Sequence, residues 1–237
     1  MKVSIVIPCY NEEKNIPLIL SKFQTVIEAE ELEVILVDNG STDGTSKLLN
    51  EILYKYPFAT SIRVAKNQGY GYGILQGLNA ARGDFIGWTH ADMQTDPEDI
   101  IKAYYILKKK NWDKDIYVKG NRKGRPLFDT FFTLGMSIFE TLYLKQHLED
   151  VNAQPNLFSK DFYQSWINPP HDFSLDLYAL YMAQKGGLEV VRFPVLFPPR
   201  IHGESHWNTG LGAKWKFIKR TLLFSKELKK SLKEGFH

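Results

Sequence analysis

Four short apolar runs, each followed by a polar segment and then a helical pattern, constrain this chain more than any other feature. Val3 to Ile7 is the first, closed by Pro8; a helical pattern from about Glu13 to Ile27 sets Ile16, Ile19, Leu20 and Phe23 on one face. Glu33 to Val37, Ser61 to Ala65 and Phe85 to Thr89 repeat the arrangement, with helical patterns from about Asp43 to Lys55, up to about Ala81, and from Pro97 onward. Runs this apolar suit strands covered on both faces. Their alternation with helices predicts an α/β fold, a mostly parallel central sheet with helices on both faces.

In such a sheet ligands bind outside the carboxyl ends of the strands. The segments Pro8–Glu12, Asp38–Thr42, Lys66–Gly69 and His90–Asp96 therefore share one edge. Any one of them is ordinary loop polarity. Carboxylates and amides crowded into all four argue for a site. The second half is less regular: a strand from Ile116 to Lys119, a basic turn Gly120–Arg125, an apolar helix Leu127–Leu144 without Lys or Arg, and a strand within Val151–Phe158. A helix Ser174–Lys185, a strand Leu188–Phe193 and a Pro-rich connector Pro194–Pro199 follow.

Composition narrows the class. With 237 residues, 43% of them hydrophobic, the chain can bury a core and is not broadly disordered. One cysteine, Cys9, excludes a disulfide framework and a Cys-based zinc site, and reads as a small buried filler. No apolar run approaches the ~18 residues that span a bilayer, and Met1 leads straight into a strand. The expected location is cytoplasmic, free or peripheral on the inner face of the membrane. The net charge of +3 is unevenly divided: residues 214–237 carry eight basic residues against Glu227 and Glu234, and the remainder is net negative. Trp215, Phe217, Ile218, Leu222, Leu223, Leu228 and Leu232 interleave with those cations. Such a helix either lies on an anionic membrane surface or packs its apolar face on the body. An acidic body without a recognition motif does not suit nucleic acid.

Asp92 and Gln94, directly after a strand, offer oxygen to a hard cation, Mg²⁺ or Mn²⁺, shared with a diphosphate. Asp38 can accept from a base or ribose, while Asn39, Gly40 and Ser41 stand at an electropositive helix N-terminus; the same residues equally serve as plain capping. Tyr10 can stack on a base and Glu12 can hold its loop.

Four segments together resemble glycosyltransferase family 2: Val3 to Glu12, Val37-Asp-Asn-Gly-Ser-Thr-Asp43, Asn67-Gln-Gly69 and Ala91-Asp-Met-Gln-Thr-Asp-Pro97. The branch most like this chain is the dolichol-phosphate-mannose-synthase-like one, through Gly120-Asn-Arg122, Asp150, Asp176 and Arg200-Ile-His-Gly-Glu-Ser-His206. The resemblance implies a GT-A fold: a catalytic domain over 1–213, with a nucleotide-sugar half (1–119) and an acceptor half (120–213), then the basic helix 214–237. It implies an inverting, metal-dependent transfer from a UDP- or GDP-sugar to a glycan hydroxyl or a lipid phosphate. The signature of processive polysaccharide synthases, Gln-x-x-Arg-Trp, is absent.

Carried over by position, Pro8, Tyr10, Asn11, Glu12 and Asp38–Ser41 line the nucleotide pocket, with Asn67, Gly69, His90 and Ala91 beside them. Asp92 holds the metal with help from Gln94. Arg122, Arg200 and the loop containing Ser205 and His206 face the phosphates. A hydroxyl acceptor requires a base, for which Asp150 and Asp176 are the candidates; a phosphate acceptor requires none. His90 stands where the family usually has the first Asp of Asp-x-Asp, and His206 where this branch usually has Lys. Leu127–Leu144 lacks the basic residues usual in lipid-phosphate-using relatives. A sugar-1-phosphate nucleotidylyltransferase would want a Gly-rich, Arg-containing loop after the first strand, which Pro8–Glu12 is not. His90 keeps a non-catalytic nucleotide-sugar binder as the alternative.

Overall fold

The computed structural model describes residues 3–27, 31–124, 127–198 and 211–233. Within them seven strands form one sheet: β1 (Val3–Cys9), β2 (Leu32–Asn39), β3 (Ala59–Val64), β4 (Phe85–Trp88), β5 (Ile116–Lys123), β6 (Asn156–Ser159) and β7 (Glu189–Leu196). The order across the sheet is β3-β2-β1-β4-β6-β5-β7. Every pairing is parallel except those of β6, which runs antiparallel to both β4 and β5. The α-helices among the described residues are α1 (Ile16–Val26), α2 (Thr45–Ile52), α3 (Tyr70–Ala80), α4 (Pro97–Lys109), α5 (Leu127–Leu144), α6 (Lys160–Gln164), α7 (Leu175–Lys185) and α8 (Leu211–Lys233).

Alternation along each strand divides the core in two. Ile5, Ile7 and Leu36 pack with Phe23 of α1 and Ile100 and Leu107 of α4. Val6, Ile35 and Val37 pack on the other face with Ile74 and Leu78 of α3 and Leu180 of α7, beside an aromatic group that includes Trp88, Tyr117 and Phe158. The sheet is thus covered on both sides, as the apolar runs require. α4 shows why its sequence is helical at that place: Asp96 accepts from the Glu98 backbone at 3.0 Å, Pro97 follows, Glu98 and Asp99 fill the first turn, and Lys108 and Lys109 the last.

Several boundaries differ from the sequence pattern. The strand expected within Val151–Phe158 pairs only over Asn156–Ser159, because Asp150 has φ +40°, a turn runs from Asp150 to Ala153, and Pro155 has no N–H to give a ladder. β3 lies slightly earlier than Ser61–Ala65; it is an edge strand, mostly exposed, so its apolar signal is weak. β7 continues through Pro194, which an edge strand tolerates. α6 follows the Ser159 cap on the Phe162 N–H, and five residues are too few for a periodic signal. Position 119/120 falls inside β5 and position 213/214 inside α8, so neither expected division coincides with a break in an element.

The basic helix does pack on the body. Thr221, Ser225 and Leu228 of α8 are buried, and the Lys229 ammonium sits 4.0 Å above the Tyr143 ring while donating to the Tyr143 carbonyl at 2.8 Å. Trp215 and Leu223 nevertheless stay exposed, as do Leu134, Ile138 and Leu142 on α5. Among the described residues no helix is long and apolar enough to cross a membrane.

Candidate functional site

The strand order reverses between β1 and β4. From β1 the chain moves outward through β2 and β3, then returns to place β4 on the opposite side of β1. A crevice at the carboxyl ends of the strands is expected at that reversal. Its two lips are the segment after β1, with Tyr10 42% exposed, and the segment after β4, with His90 and Asp92.

Side chains stitch the four polar segments together. Asn11, at φ +59°, accepts from the Thr42 N–H at 2.8 Å and receives the Asp43 N–H at 3.3 Å, while its own N–H donates to Ser41 Oγ at 3.0 Å. Glu12 donates its N–H to Thr45 Oγ1 at 2.9 Å and accepts from Asn15 Nδ2 at 2.6 Å. Asn39 Nδ2 donates to the Gly69 carbonyl at 2.9 Å, and Asn67 Oδ1 accepts from the Gly69 N–H at 2.9 Å. Gly40 and Gly69, at φ +74° and +115°, take turns that other residues rarely adopt. The Tyr70 hydroxyl, at the start of α3, lies 3.1 Å from His90 Nε2. The residues expected at the nucleotide pocket are therefore together on one edge.

Asp38 is buried and accepts from the Ser41 N–H at 2.9 Å and from the Ser46 hydroxyl, with Arg63 Nε 3.9 Å away. It thus secures the turn into α2, the capping use noted from sequence. Cys9 is fully buried; burial, then the charges of Glu12, Asp38 and Asp43, raise its thiol well above the ordinary range, which suits a filler and not a nucleophile. Pro8 lies within β1, which runs on to Cys9 past the expected end at Ile7, and Ala91 follows the neighbouring strand β4.

Around Asp92 the geometry is compact. Its Oδ1 accepts from the Gln94 N–H at 3.1 Å, and its Oδ2 lies 4.0 Å from His90 Nδ1. The Gln94 amide nitrogen donates to the Pro198 carbonyl at 3.0 Å, tying this loop to the connector after β7. Arg200, Ser205 and His206 lie outside the described residues. Among the described residues there is no group of three or more His, Cys, Asp or Glu placed to hold a metal. Asp92 with His90 fits a cation that takes much of its shell from diphosphate oxygens and water, as Mg²⁺ and Mn²⁺ at phosphate sites do.

The two candidate bases occupy different surroundings. Asp150 is buried and gripped by Arg122, whose backbone N–H and Nε donate to it at 2.8 and 2.9 Å. Arg122 is consequently paired with Asp150, and its ring neighbour is Phe197 at 5.3 Å. Asp176, in the first turn of α7, is buried beneath the end of β4. Its Oδ1 accepts from Gln154 Nε2 at 2.8 Å, and from Trp88 Nε1 and Asn156 Nδ2 at 3.3 Å each.

That network holds residues the sequence reading missed. Lys119 is wholly buried and donates to the Ala153 carbonyl at 2.8 Å and to Asn156 Oδ1 at 2.6 Å. Burial brings its ammonium down to about 7, against the opposing pull of the Asp176 charge. Tyr117 also donates to Asn156 Oδ1, at 2.8 Å, and Asn156 Nδ2 donates to Gln154 Oε1 at 2.8 Å. Tyr70 stacks on Phe173, rings 4.6 Å apart and 10° from parallel. The available signal was Lys119 directly after the apolar run Ile116–Val118, and the two amides Gln154 and Asn156 flanking Pro155.

Residues 4–167 match the family model for glycosyl transferase family 2, and the chain belongs to that family. A dolichol-phosphate mannosyltransferase of Pyrococcus furiosus is 28% identical over 213 residues, covering 86% of this chain and 59% of that protein. An undecaprenyl-phosphate 4-deoxy-4-formamido-L-arabinose transferase of Photorhabdus laumondii is 39% identical over 103 residues, covering 42% of this chain and 31% of that protein. The chain thus matches less than two thirds of the length of either relative. Among solved structures, glucosyl-3-phosphoglycerate synthase of Mycobacterium tuberculosis with Mn²⁺, UDP and phosphoglyceric acid aligns with a TM-score of 0.70 at 19% identity, over 94% of this chain and 78% of that one. A mannosyltransferase of Pyrobaculum calidifontis with GDP-Man and Mn²⁺ gives 0.68 at 18% identity, over 99% and 65%. At such identities the likeness shows the fold, the GT-A arrangement that the sequence resemblance implied.

Proposed function

We propose that the chain is a metal-dependent inverting glycosyltransferase. It moves a sugar from a UDP- or GDP-linked donor to a polyprenyl-phosphate or hydroxyl acceptor, one transfer at a time. The observation that carries this reading is the convergence of Asp92, His90 and Tyr70 at the strand reversal, with Gln154 linking Tyr70 to Asp176.

The donor nucleotide lies along the ends of β1 and β2, its base against Tyr10, with Asp38 to Ser41 at the start of α2. Asp92, with Gln94 and His90 beside it, would hold the divalent cation, which would supply Lewis-acid neutralisation of the leaving diphosphate. Mn²⁺ in the two neighbouring structures supports a divalent cation without separating it from Mg²⁺. Arg200, and His206 when protonated, would add positive charge for the same phosphates.

Two relatives named for polyprenyl-phosphate acceptors favour a phosphate acceptor here. So does Asp176: it is 2% exposed with three donors on Oδ1, a setting that suits orienting the site better than removing a proton. A phosphate oxygen is already anionic and attacks the anomeric carbon without a base. A lipid acceptor also suits the exposed Leu134, Ile138 and Leu142 of α5 and the exposed Trp215, Leu223, Lys219, Lys226 and Lys230 of α8. On this reading α8 both packs on the body and presents a membrane-facing side.

The test is a screen of UDP- and GDP-sugars with Mn²⁺, scored for transfer to a short polyprenyl phosphate and for donor hydrolysis without acceptor. Transfer from one donor is the expected result. Tight nucleotide binding with neither transfer nor hydrolysis would establish a non-catalytic nucleotide-sugar binder instead.

A further inference from the structure

Lys119 lies inside the sheet on β5, paired with Asn156 of β6, and is wholly buried. Enclosing an ammonium there is unfavourable, and burial pulls it down to about 7. Its bonds go to the two flanks of one short segment: the Ala153 carbonyl at 2.8 Å and Asn156 Oδ1 at 2.6 Å. The next residue on β5 adds a third tie, the Gly120 N–H to the Pro155 carbonyl at 3.1 Å. Between those anchors stands Gln154, whose side-chain amide reaches the candidate site.

The polarity of this segment follows from what stands at its two ends. An ammonium only donates and a carboxylate only accepts. Two amides joined between them are satisfied in a single orientation. Asn156 turns Oδ1 to Lys119, its Nδ2 donates to Gln154 Oε1 at 2.8 Å, and Gln154 Nε2 donates to Asp176 Oδ1 at 2.8 Å. Turning either amide over would set donor against donor or acceptor against acceptor. Gln154 Nε2 also lies 3.5 Å from the Tyr70 oxygen, so one amide nitrogen spans the first turn of α7 and the start of α3. We propose that Lys119 is a positioning residue for sugar transfer: it clamps Gln154 so that this nitrogen holds the Asp176 carboxylate in place at the site. This rests on the proposed function of the strand reversal; it adds a buried residue that acts on the reaction through Gln154.

The experiment is steady-state kinetics of the full chain with Mn²⁺ and the donor that the UDP- and GDP-sugar screen identifies, alongside calorimetric nucleotide affinity and thermal unfolding. Lys119→Met nearly keeps the side-chain length and removes its donors. Its unfolding midpoint at pH 7 should hold or rise, because an apolar group replaces a buried charge. Its kcat should fall about tenfold or more, as misplacing a group remote from the chemistry does, with nucleotide affinity unchanged. Gln154→Met should lose at least as much turnover, and the double variant no more than Gln154→Met, because residues that act as one unit are not additive. Asn156→Asp keeps an acceptor for Lys119 but loses the donor to Gln154, and should lose turnover likewise; it carries the test if Lys119→Met does not fold. Full turnover in Lys119→Met or Asn156→Asp, or losses that multiply in the double variant, would overturn the inference and leave the proposed function standing. A wild type that neither transfers nor hydrolyses any donor would overturn both.

Discussion

Arg122 and Asp150 form a buried pair in which backbone and side chain of one residue hold the carboxylate of the other. The Arg122 N–H donates to Asp150 Oδ2 at 2.8 Å and its Nε to Oδ1 at 2.9 Å, with both side chains under a tenth exposed. Removing one partner strands the other charge. Arg122→Ala should lower unfolding stability by about 3–5 kcal/mol, and adding Asp150→Asn should recover much of that. Denaturant unfolding of the single and double variants measures it. An unchanged unfolding midpoint with a selective loss of nucleotide binding would instead assign Arg122 to the phosphates.

Lys119 and Glu140 give stability opposite pH dependences. The ammonium of Lys119 is lowered by burial to about 7, so between about 7 and its ordinary 10.5 the unfolded chain binds more protons, and stability rises with pH through that window. Glu140 is raised by burial to about 8, so from its ordinary 4.5 to about 8 the folded chain binds more protons, and stability falls as pH rises. Glu140→Gln should therefore raise the unfolding midpoint at pH 8–9 and change it little at pH 4. The gain is a few kcal/mol at most, since each tenfold change in proton affinity is worth ~1.4 kcal/mol. Lys119→Met should flatten the rise above pH 7. Thermal unfolding across pH 4–10 reads both effects.

Gly71 lies where the backbone of residues 170–172 crosses the start of α3. A Cβ there would meet the Pro170 carbonyl oxygen at 2.6 Å and that of Asp172 at 2.7 Å, beside the Tyr72 N–H bond to His171 at 2.9 Å. Gly71→Ala should cost about 1–3 kcal/mol, as overpacking does. It should also lower turnover, because the same crossing carries the Phe173 ring against Tyr70. Unfolding and steady-state kinetics of the variant check the two effects together.

The apolar side of α5 and α8 should govern membrane attachment. Leu134→Ser with Leu142→Ser, both at exposed positions, should reduce co-sedimentation with anionic vesicles severalfold while leaving unfolding stability nearly unchanged. Neutral vesicles should bind the wild type more weakly, since the cations of α8 contribute through anionic lipid.

Much of the sheet and its functional edge was legible because periodicity is local. Val3–Ile7 and Phe85–Thr89 announce buried strands, and the polar segments after them follow from the chain direction alone. The position of Asp92 just after β4 was legible for the same reason. Lys119, Gln154 and Asn156 were not, since Lys119 reads as the polar end of an apolar run and the two amides as turn residues about Pro155, and they gain meaning only when β5 and β6 pair. The Arg122–Asp150 pair was hidden likewise: both residues were noted, yet 28 positions of chain separate them and only the fold turns them toward each other. β3 was misplaced because an edge strand half open to solvent lacks the apolar run that marked its neighbours.

The proposed function turns on Asp92, after β4, holding the cation through which the donor diphosphate would bind. Calorimetric titration of UDP and GDP into wild type and Asp92→Ala, each with and without Mn²⁺, tests it directly. One nucleotide should bind the wild type at least tenfold more tightly with Mn²⁺, and Asp92→Ala should lose this gain while keeping its unfolding midpoint. Equal, metal-independent binding by both proteins would contradict it.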